Sequence, residues 1–297
     1  MTQTESTASS HVWRGRKQKK KRMSGGNRGL FSKTMMAGSL LLIACLVLFA
    51  LAPQWFAPYS PTDMNAAAIL KAPGGSYWLG TDYFGRDIFS LIVYGSRDAL
   101  LIGVSAVLLG GSVGALIGAV SGYAGRLVDT ILMRLIDTLM TIPGILLALT
   151  VSAVLGPSRL NLIIAVSIAQ IPSFARVIRG QVLSIKSRTF IEAAKANGTS
   201  HFSIIFSHIA PHVLSSLLVL GTIGVGSAIL MGSGLSFLGL GSAEEIPDWG
   251  GLLSQGRSYI AMAWWIATFP GLAITLLVVS INFLGDELQA AVGPRKG

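Results

Sequence analysis

The sequence predicts an all-α polytopic membrane protein with six transmembrane helices. Three observations lead there. Of its 297 residues, 52% are hydrophobic and only 12% are charged, about half the charged fraction of a soluble domain. Six segments are apolar and long enough to cross a bilayer, which takes about 20 residues of helix. Backbone in lipid must satisfy its own hydrogen bonds, so helices are expected rather than an open sheet. Finally, with the amino terminus inside and six crossings, eighteen Lys/Arg fall in cytoplasmic segments and five outside. That asymmetry is what the positive-inside rule requires.

The elements follow in order. Residues 1–33 form a basic tail, with nine Lys/Arg against Glu5 alone. Its Ser/Thr/Gly-rich composition predicts disorder. Beside a membrane span, its charge fits a cytoplasmic topology signal resting on anionic lipid rather than a nucleic-acid arm. The first span is Met35–Ala52. Ala50-Leu51-Ala52 imitates a signal-peptide cleavage site, but the apolar run is too long for one and Pro53 follows directly. Cys45, the one cysteine, lies inside this span and reads as a packing residue, so no disulfide framework is expected.

Residues 53–98 read as an external loop that completes a first unit, 34–98. Within it Leu79–Asp87 (LGTDYFGRD) comes close to a phosphate loop. Arg86 stands where the lysine belongs, Asp87 would repel phosphate, and no strand precedes it, so no nucleotide site is expected. The stretch reads instead as a tight turn cluster on the outer helix ends. Asp82, Asp87, Glu244, Glu245 and Asp248 read as a solvated acidic face on that side, with docking of a binding protein as the alternative.

A five-span core, 99–290, follows, and then a short cytoplasmic tail, 291–297. Span two is Ala99–Gly122. Gly110, Gly114, Gly118 and Gly122 recur every fourth residue, a small-residue stripe that lets a partner helix approach backbone to backbone. Gly110–Gly114 also matches a nucleophile-elbow pattern, but Ser112 sits mid-span without the required strand. Hydrolase chemistry is excluded and no catalytic residue is assigned.

A loop carrying Arg126, Asp129, Arg134 and Asp137 leads to span three, Leu139–Leu155, with Pro143 near its start. Span four, Leu160–Ala175, is short: 16 uncharged residues lie between Arg159 and Arg176, about 24 Å of helix. Gln170 and Pro172 interrupt it, and a broken helix here would line the translocation path. Without this span the next basic loop would lie outside, against the charge rule. Spans five and six are Val213–Met231 and Trp264–Leu284.

Between spans four and five, Thr189–His212 is a polar interruption that reads as two short helices joined by a glycine. Thr189 and Glu192 have capping-box spacing. Ala193, Ala194 and Ala196 favour a helix with little side-chain bulk. Gly198 supplies the left-handed stop, and Ser200 can cap the next helix. There Phe202, Ile205, Phe206 and Ile209 share one face, and Pro211 is expected to end it. His201, His208 and His212 lack acidic or cysteine neighbours in sequence, so no metal site is expected. The sequon at Asn197 lies in a predicted cytoplasmic loop and reads as accidental.

Glu192-Ala193-Ala194, with Gly198 six residues after the glutamate and then Ile209 and Pro211, resembles the EAA loop of ABC-importer permeases. Leu79–Asp87 with Tyr94-Gly95-Ser96-Arg97, Gly234–Gly241 with Pro247-Asp248-Trp249-Gly250, and Asn282–Asp286 are similar to the C-type subunits of the dipeptide, oligopeptide and nickel group. The likeness covers residues 35–290. His212 departs from it, standing where asparagine is common, and the basic tail is longer than usual.

The resemblance implies an ABC type I importer permease fold in a bacterial cytoplasmic membrane. It also implies a path shared with a second homologous permease, two cytoplasmic ABC ATPase subunits and an external substrate-binding protein. On this likeness Glu192, Ala193, Ala194, Lys195, Ala196, Gly198, Ile209 and Pro211 belong to the ATPase-coupling loop. ATP and Mg would be bound by the ATPase subunits, with no cofactor in this chain. Peptides are the implied substrate, with nickel or metal chelates as the alternative. A stand-alone secondary transporter or channel is the rival of another class. It would show internal repeats or ionisable residues within the spans, and neither is evident.

Overall fold

The structure, a computed structural model, describes residues 25–241 and 245–292. The basic cluster of the amino-terminal tail, Glu244 and residues 293–297 lie outside the described residues. Among the described residues the chain is helical, without a named strand. Thr34–Leu51, Ile88–Ala124, Arg159–Lys186, His201–Leu240 and Trp265–Ala290 are each apolar and long enough to cross a membrane. A sixth crossing exists only if the bent pair Arg126–Met140 and Gly144–Leu155 counts as one span.

Helix α1 (Gly25–Leu51) begins inside the segment expected to be tail. Helix α2 (Ile88–Ala124) runs 37 residues, about 55 Å, well beyond the hydrocarbon core of a bilayer. It starts at Ile88, not Ala99, because Asp87 caps it: the carboxylate accepts the Ser90 N–H at 2.8 Å and the Ser90 hydroxyl at 2.7 Å. Arg97 and Asp98 do not delay the helix as expected. Asp98 is buried and paired with Arg159 at 2.9 Å.

The charged segment after α2 is not a loop. It is an amphipathic helix, α3 (Arg126–Met140), whose Met133 and Ile136 are buried. Asp129 and Asp137 reach Arg179 and Arg176, each with a contact at 2.7 Å. The charges that read as a loop are the polar edge of a helix. Pro143 then starts α4 (Gly144–Leu155), bent 85° from α3. The third crossing therefore ends in only 12 helical residues, about 18 Å.

Helix α5 (Arg159–Lys186) corrects the expected break in span four. It continues for 28 residues with Pro172 inside it. Pro172 is buried, and buried Gln170 donates to the Gly224 carbonyl at 3.4 Å. Both are packed within this chain. Close contact with α2 supports α5 through the proline. A Cβ on Gly114 would stand 2.6 Å from the Ile171 carbonyl, and one on Gly122 2.9 Å from Val182. Cβ atoms on Gly110 and Gly118 would collide with the Ser167 and Ala175 carbonyls. The glycine stripe thus meets a helix of the same chain.

The remaining elements are α6 (Thr189–Ala196), α7 (His201–Leu240), α8 (Trp249–Arg257) and α9 (Trp265–Val292). Pro211 does not end α7. A π-helical turn over Ile204–Ile209 precedes it, with the Ala210 N–H reaching back five residues to the Ile205 carbonyl. The widened turn accommodates the proline ring and its missing donor.

Around the starts of α2, α8 and α9, distant sequence stretches close into one buried knot. Asp82 is fully buried and bonded to Arg86 Nε at 2.7 Å; it also accepts the N–H groups of Phe84 and Arg86. Trp265 donates to the Thr81 carbonyl and Trp249 to the Ile92 carbonyl, each at 3.0 Å. Asp248 caps α8 by accepting from Gly251 at 2.7 Å, and it also takes the Ser236 hydroxyl. The expected turn cluster is present, but the expected solvated acidic face is not: Asp82, Asp87 and Asp248 are all buried. Amides, hydroxyls and a guanidinium take the place of water around them, except at Asp87 Oδ1, which is buried without a hydrogen-bond partner. Glu245, of the same set, is exposed.

Gly114→Leu or Gly118→Leu must part α2 from α5. Overpacking of this kind costs about 1–3 kcal/mol. Thermal unfolding of the purified chain should show that loss, whereas Val113→Ala, at an exposed position of α2, should stay near the parent. In the knot, Asp82→Ala leaves the Arg86 guanidinium buried without its carboxylate, a change that costs about 3–5 kcal/mol. The same unfolding measurement should find it the more damaging of the two classes.

Candidate functional site

The candidate site is the polar elbow between α5 and α7. Helix α5 stops at Lys186, and the chain turns through Ser187 and Arg188 into α6. The expected capping box is absent. Arg188 holds the cap position without a side-chain bond, and Thr189 is already the first helical residue. The elbow after α6 is as the glycine predicts. Gly198 has φ +74°, its N–H reaches the Lys195 carbonyl at 3.0 Å, and the Thr199 N–H reaches the Ala194 carbonyl at 3.0 Å. These two bonds make a Schellman motif, which needs a left-handed residue at Gly198. Ser200 then caps α7 by accepting from the Ser203 N–H at 3.3 Å.

One side chain anchors α6. Ile191 is fully buried against Ile178, Val182 and Ile185 of α5 and Ile204 and Ile209 of α7. Glu192, Ala193, Lys195, Ala196 and Gly198 are exposed, and Ala194 is half-buried. Apart from Phe190, which is partly exposed beside His208 and His212, the helix therefore presents methyl groups with one acid and one base on a narrow apolar foot. Of the two later residues in the motif, Ile209 is buried in that foot and Pro211 is exposed.

The expected apolar face of α7 is divided. Ile209 is buried and Ile205 partly so, but Phe202 is 70% and Phe206 58% exposed, their rings 4.3 Å apart. The π turn is the cause. It places Ile204 and Ile209, five residues apart, on one side, where a regular helix would have paired positions three and four apart. Sequence periodicity at about 3.6 residues therefore misses Ile204. The histidines are not gathered: His201 faces Tyr123, while His208 and His212 lie beside Phe190. Among the described residues no three His, Cys, Asp or Glu side chains come together as a metal site.

The polar contacts behind the elbow leave little trace in the sequence. Lys186 donates to the Tyr123 carbonyl at 2.8 Å, and its ammonium lies 5.3 Å from the Tyr123 ring centre. Nearby on α2, Ser121 donates to Asp129, which also holds Arg179 of α5. Only the charged residues among these stand out beforehand, as charge.

Long apolar helices carrying an exposed small-residue helix at one end are the architecture of a polytopic membrane protein. Residues 114–297 match the family model of binding-protein-dependent transport system inner membrane components. The chain belongs to that family, the permease subunits of ABC importers. It is 41% identical over 256 residues to the dipeptide transport system permease protein DppC of Alkalihalophilus pseudofirmus, covering 86% of this chain and 84% of that protein. It is 40% identical to the glutathione transport system permease protein GsiD of Pectobacterium atrosepticum, covering 86% and 85% of the two chains. In fold it is similar to a chain of the MetNI methionine ABC transporter in an inward-facing form, with a TM-score of 0.57 at 20% identity, over 69% of this chain and 97% of that one.

Ile191→Ala removes the one buried anchor of α6. Large-to-small changes at fully buried positions cost about 2–5 kcal/mol, and here the cost falls on a single short helix. Hydrogen exchange of the backbone amides in 189–199 should accelerate strongly in this variant, while the α5 amides before Ile178 keep their protection.

Proposed function

We propose that this chain is a translocation-path subunit of an ATP-driven importer of short peptides, and that α6 is the lever by which ATPase subunits move it. The observation that carries the reading is the contrast within α6: Ile191 is fully buried while Glu192, Ala193, Lys195 and Ala196 face outward. A helix with small exposed side chains suits insertion into a groove of another protein. The dipeptide and glutathione names of the relatives support peptides as the substrate class. Nothing in the similarity favours nickel or a metal chelate.

The partners in this reading are a second homologous permease, two cytoplasmic ATPase subunits that bind ATP and Mg, and an external substrate-binding protein. Both termini and the α6 elbow lie on the cytoplasmic side of a bacterial inner membrane, an orientation supported by the excess of Lys/Arg on that side. Closure of the ATPase pair pushes on α6. The push reaches α5 through Ile191 and α7 through the capped turn at Ser200. Tilting of the spans then exchanges outward for inward access, provided the lever fits its groove differently in the two states.

Gly198→Val tests the lever. A β-branched residue is strongly disfavoured at φ +74°, so the elbow must reshape and α6 must shift. In proteoliposomes holding the complete transporter, dipeptide uptake should fall by an order of magnitude or more while the complex still assembles. Uptake at the parent rate would refute the lever. Orientation has its own check: Lys195→Cys should stay unlabelled when an impermeant maleimide is added outside intact cells.

A further inference from the structure

Behind the elbow the chain is held together unevenly. Helices α2 and α5 meet backbone to backbone along the glycine stripe. The start of α7 is different. An apolar groove of about 360 Å³, lined by Leu116, Val120 and Tyr123 of α2, Val182 of α5, and Ile205 and Ile209 of the π turn, separates it from α2. A polar contact bridges the two helices there. The Tyr123 hydroxyl and His201 Nδ1 are 2.6 Å apart, with the rings edge-on at 5.8 Å. Tyr123 is the next-to-last residue of α2, and His201 is the first of α7, just past the Gly198 elbow.

Tyr123 is itself fixed from the other side. Its carbonyl takes the Lys186 ammonium, which also lies over its ring. The residue therefore joins the last turn of α2, the last residue of α5 and the first residue of α7. The apolar tie between elbow and spans is Ile191, Ile204 and Ile209 packed against α5, with Ala115, Ala119 and Tyr123 of α2 at its edge. Beside the groove that packing is incomplete, which leaves the start of α7 room to shift. A hydrogen bond constrains both distance and angle.

We propose that the Tyr123–His201 hydrogen bond is the positioning contact that makes the α2–α5 pair move with the coupling elbow. The proposal rests on the reading of α6 as the ATPase lever. Without the bond, a push on α6 displaces the start of α7 into the groove and is absorbed by the π turn. With it, the same push turns α2 and α5 together. Neither residue contacts substrate or nucleotide in this account; both act by holding other elements.

The test uses the complete transporter in proteoliposomes, with labelled alanyl-alanine as the probe and dipeptide carried per ATP hydrolysed as the readout. Tyr123→Phe keeps the ring and the Lys186 contacts and loses only the hydroxyl. It should lower that ratio about five-fold, the worth of one net hydrogen bond, with basal ATP hydrolysis unchanged. His201→Leu should do the same, and the double variant should be no worse than either single. His201→Asn, whose amide can replace Nδ1, should keep most of the parent ratio.

A second readout is independent of the probe. Spin labels at Asn197 and at Leu127, in the first turn of α3 directly after α2, should keep their distance through vanadate trapping in the parent and separate or broaden in Tyr123→Phe. A parent-like ratio and distance in Tyr123→Phe, or losses that multiply in the double variant, overturn the proposal. Failure of the lever itself is distinguishable: Ala193→Cys would then not cross-link to the ATPase subunits, whatever Tyr123→Phe does.

Discussion

The contact on which the other arrangements depend is the approach of α2 to α5 at Gly110, Gly114, Gly118 and Gly122. Carbonyl oxygens of Ser167, Ile171 and Ala175 occupy the space where side chains would stand. At Gly110, Gly114 and Gly118 backbone meets backbone, and at Gly122 the Val182 side chain closes the seam, so the register is fixed largely by backbone shape. Many small dispersion contacts over such a seam add up to a stiff joint. That register brings Asp129 of α3 to Arg179, and Lys186 to the Tyr123 carbonyl. It also keeps α5 helical past Pro172, where an isolated helix would kink.

Two sets of polar stretches meet opposite fates around this pair. At the starts of α2, α8 and α9, the LGTD and PDWG stretches are buried and local donors saturate their carboxylates. They close turns. At the far ends of α2 and α5, the EAA stretch stands out on buried Ile191 and half-buried Ala194, with Ala193 and Ala196 uncovered. A short helix on one anchor is stable only as part of something larger. Its exposed surface is the one the proposed ATPase coupling would use, and the polar contacts behind it are those proposed to pass a push on to the spans.

Much of this is legible in the sequence. Hydropathy places six spans, of which five are single long helices and the third is a bent pair, and the four-residue glycine repeat marks a close helix approach. Gly198 and Ser200 give the stop and the cap because those signals are local: one residue's φ or one side-chain oxygen decides them. Errors arise where a local signal is overridden by distant partners. Arg97 and Asp98 look like a span boundary, yet Asp98 is neutralised by Arg159, far along the chain. Arg126 to Asp137 looks like a loop because its partners on α5 cannot be seen from sequence. Thr189 and Glu192 have capping-box spacing, but the helix begins one residue early.

The sequence by itself determined a helical membrane protein and the location of its elbow, since hydropathy, charge asymmetry and left-handed glycine positions need no knowledge of neighbours; its family followed from likeness to known sequences. Only the tertiary structure decided that the glycine stripe faces α5 of the same chain, that Asp82, Asp87 and Asp248 are buried, and that Tyr123 meets His201. Those facts depend on which segments share space. In a chain of nearly uniform greasy helices, periodicity says which face is apolar but not what lies against it.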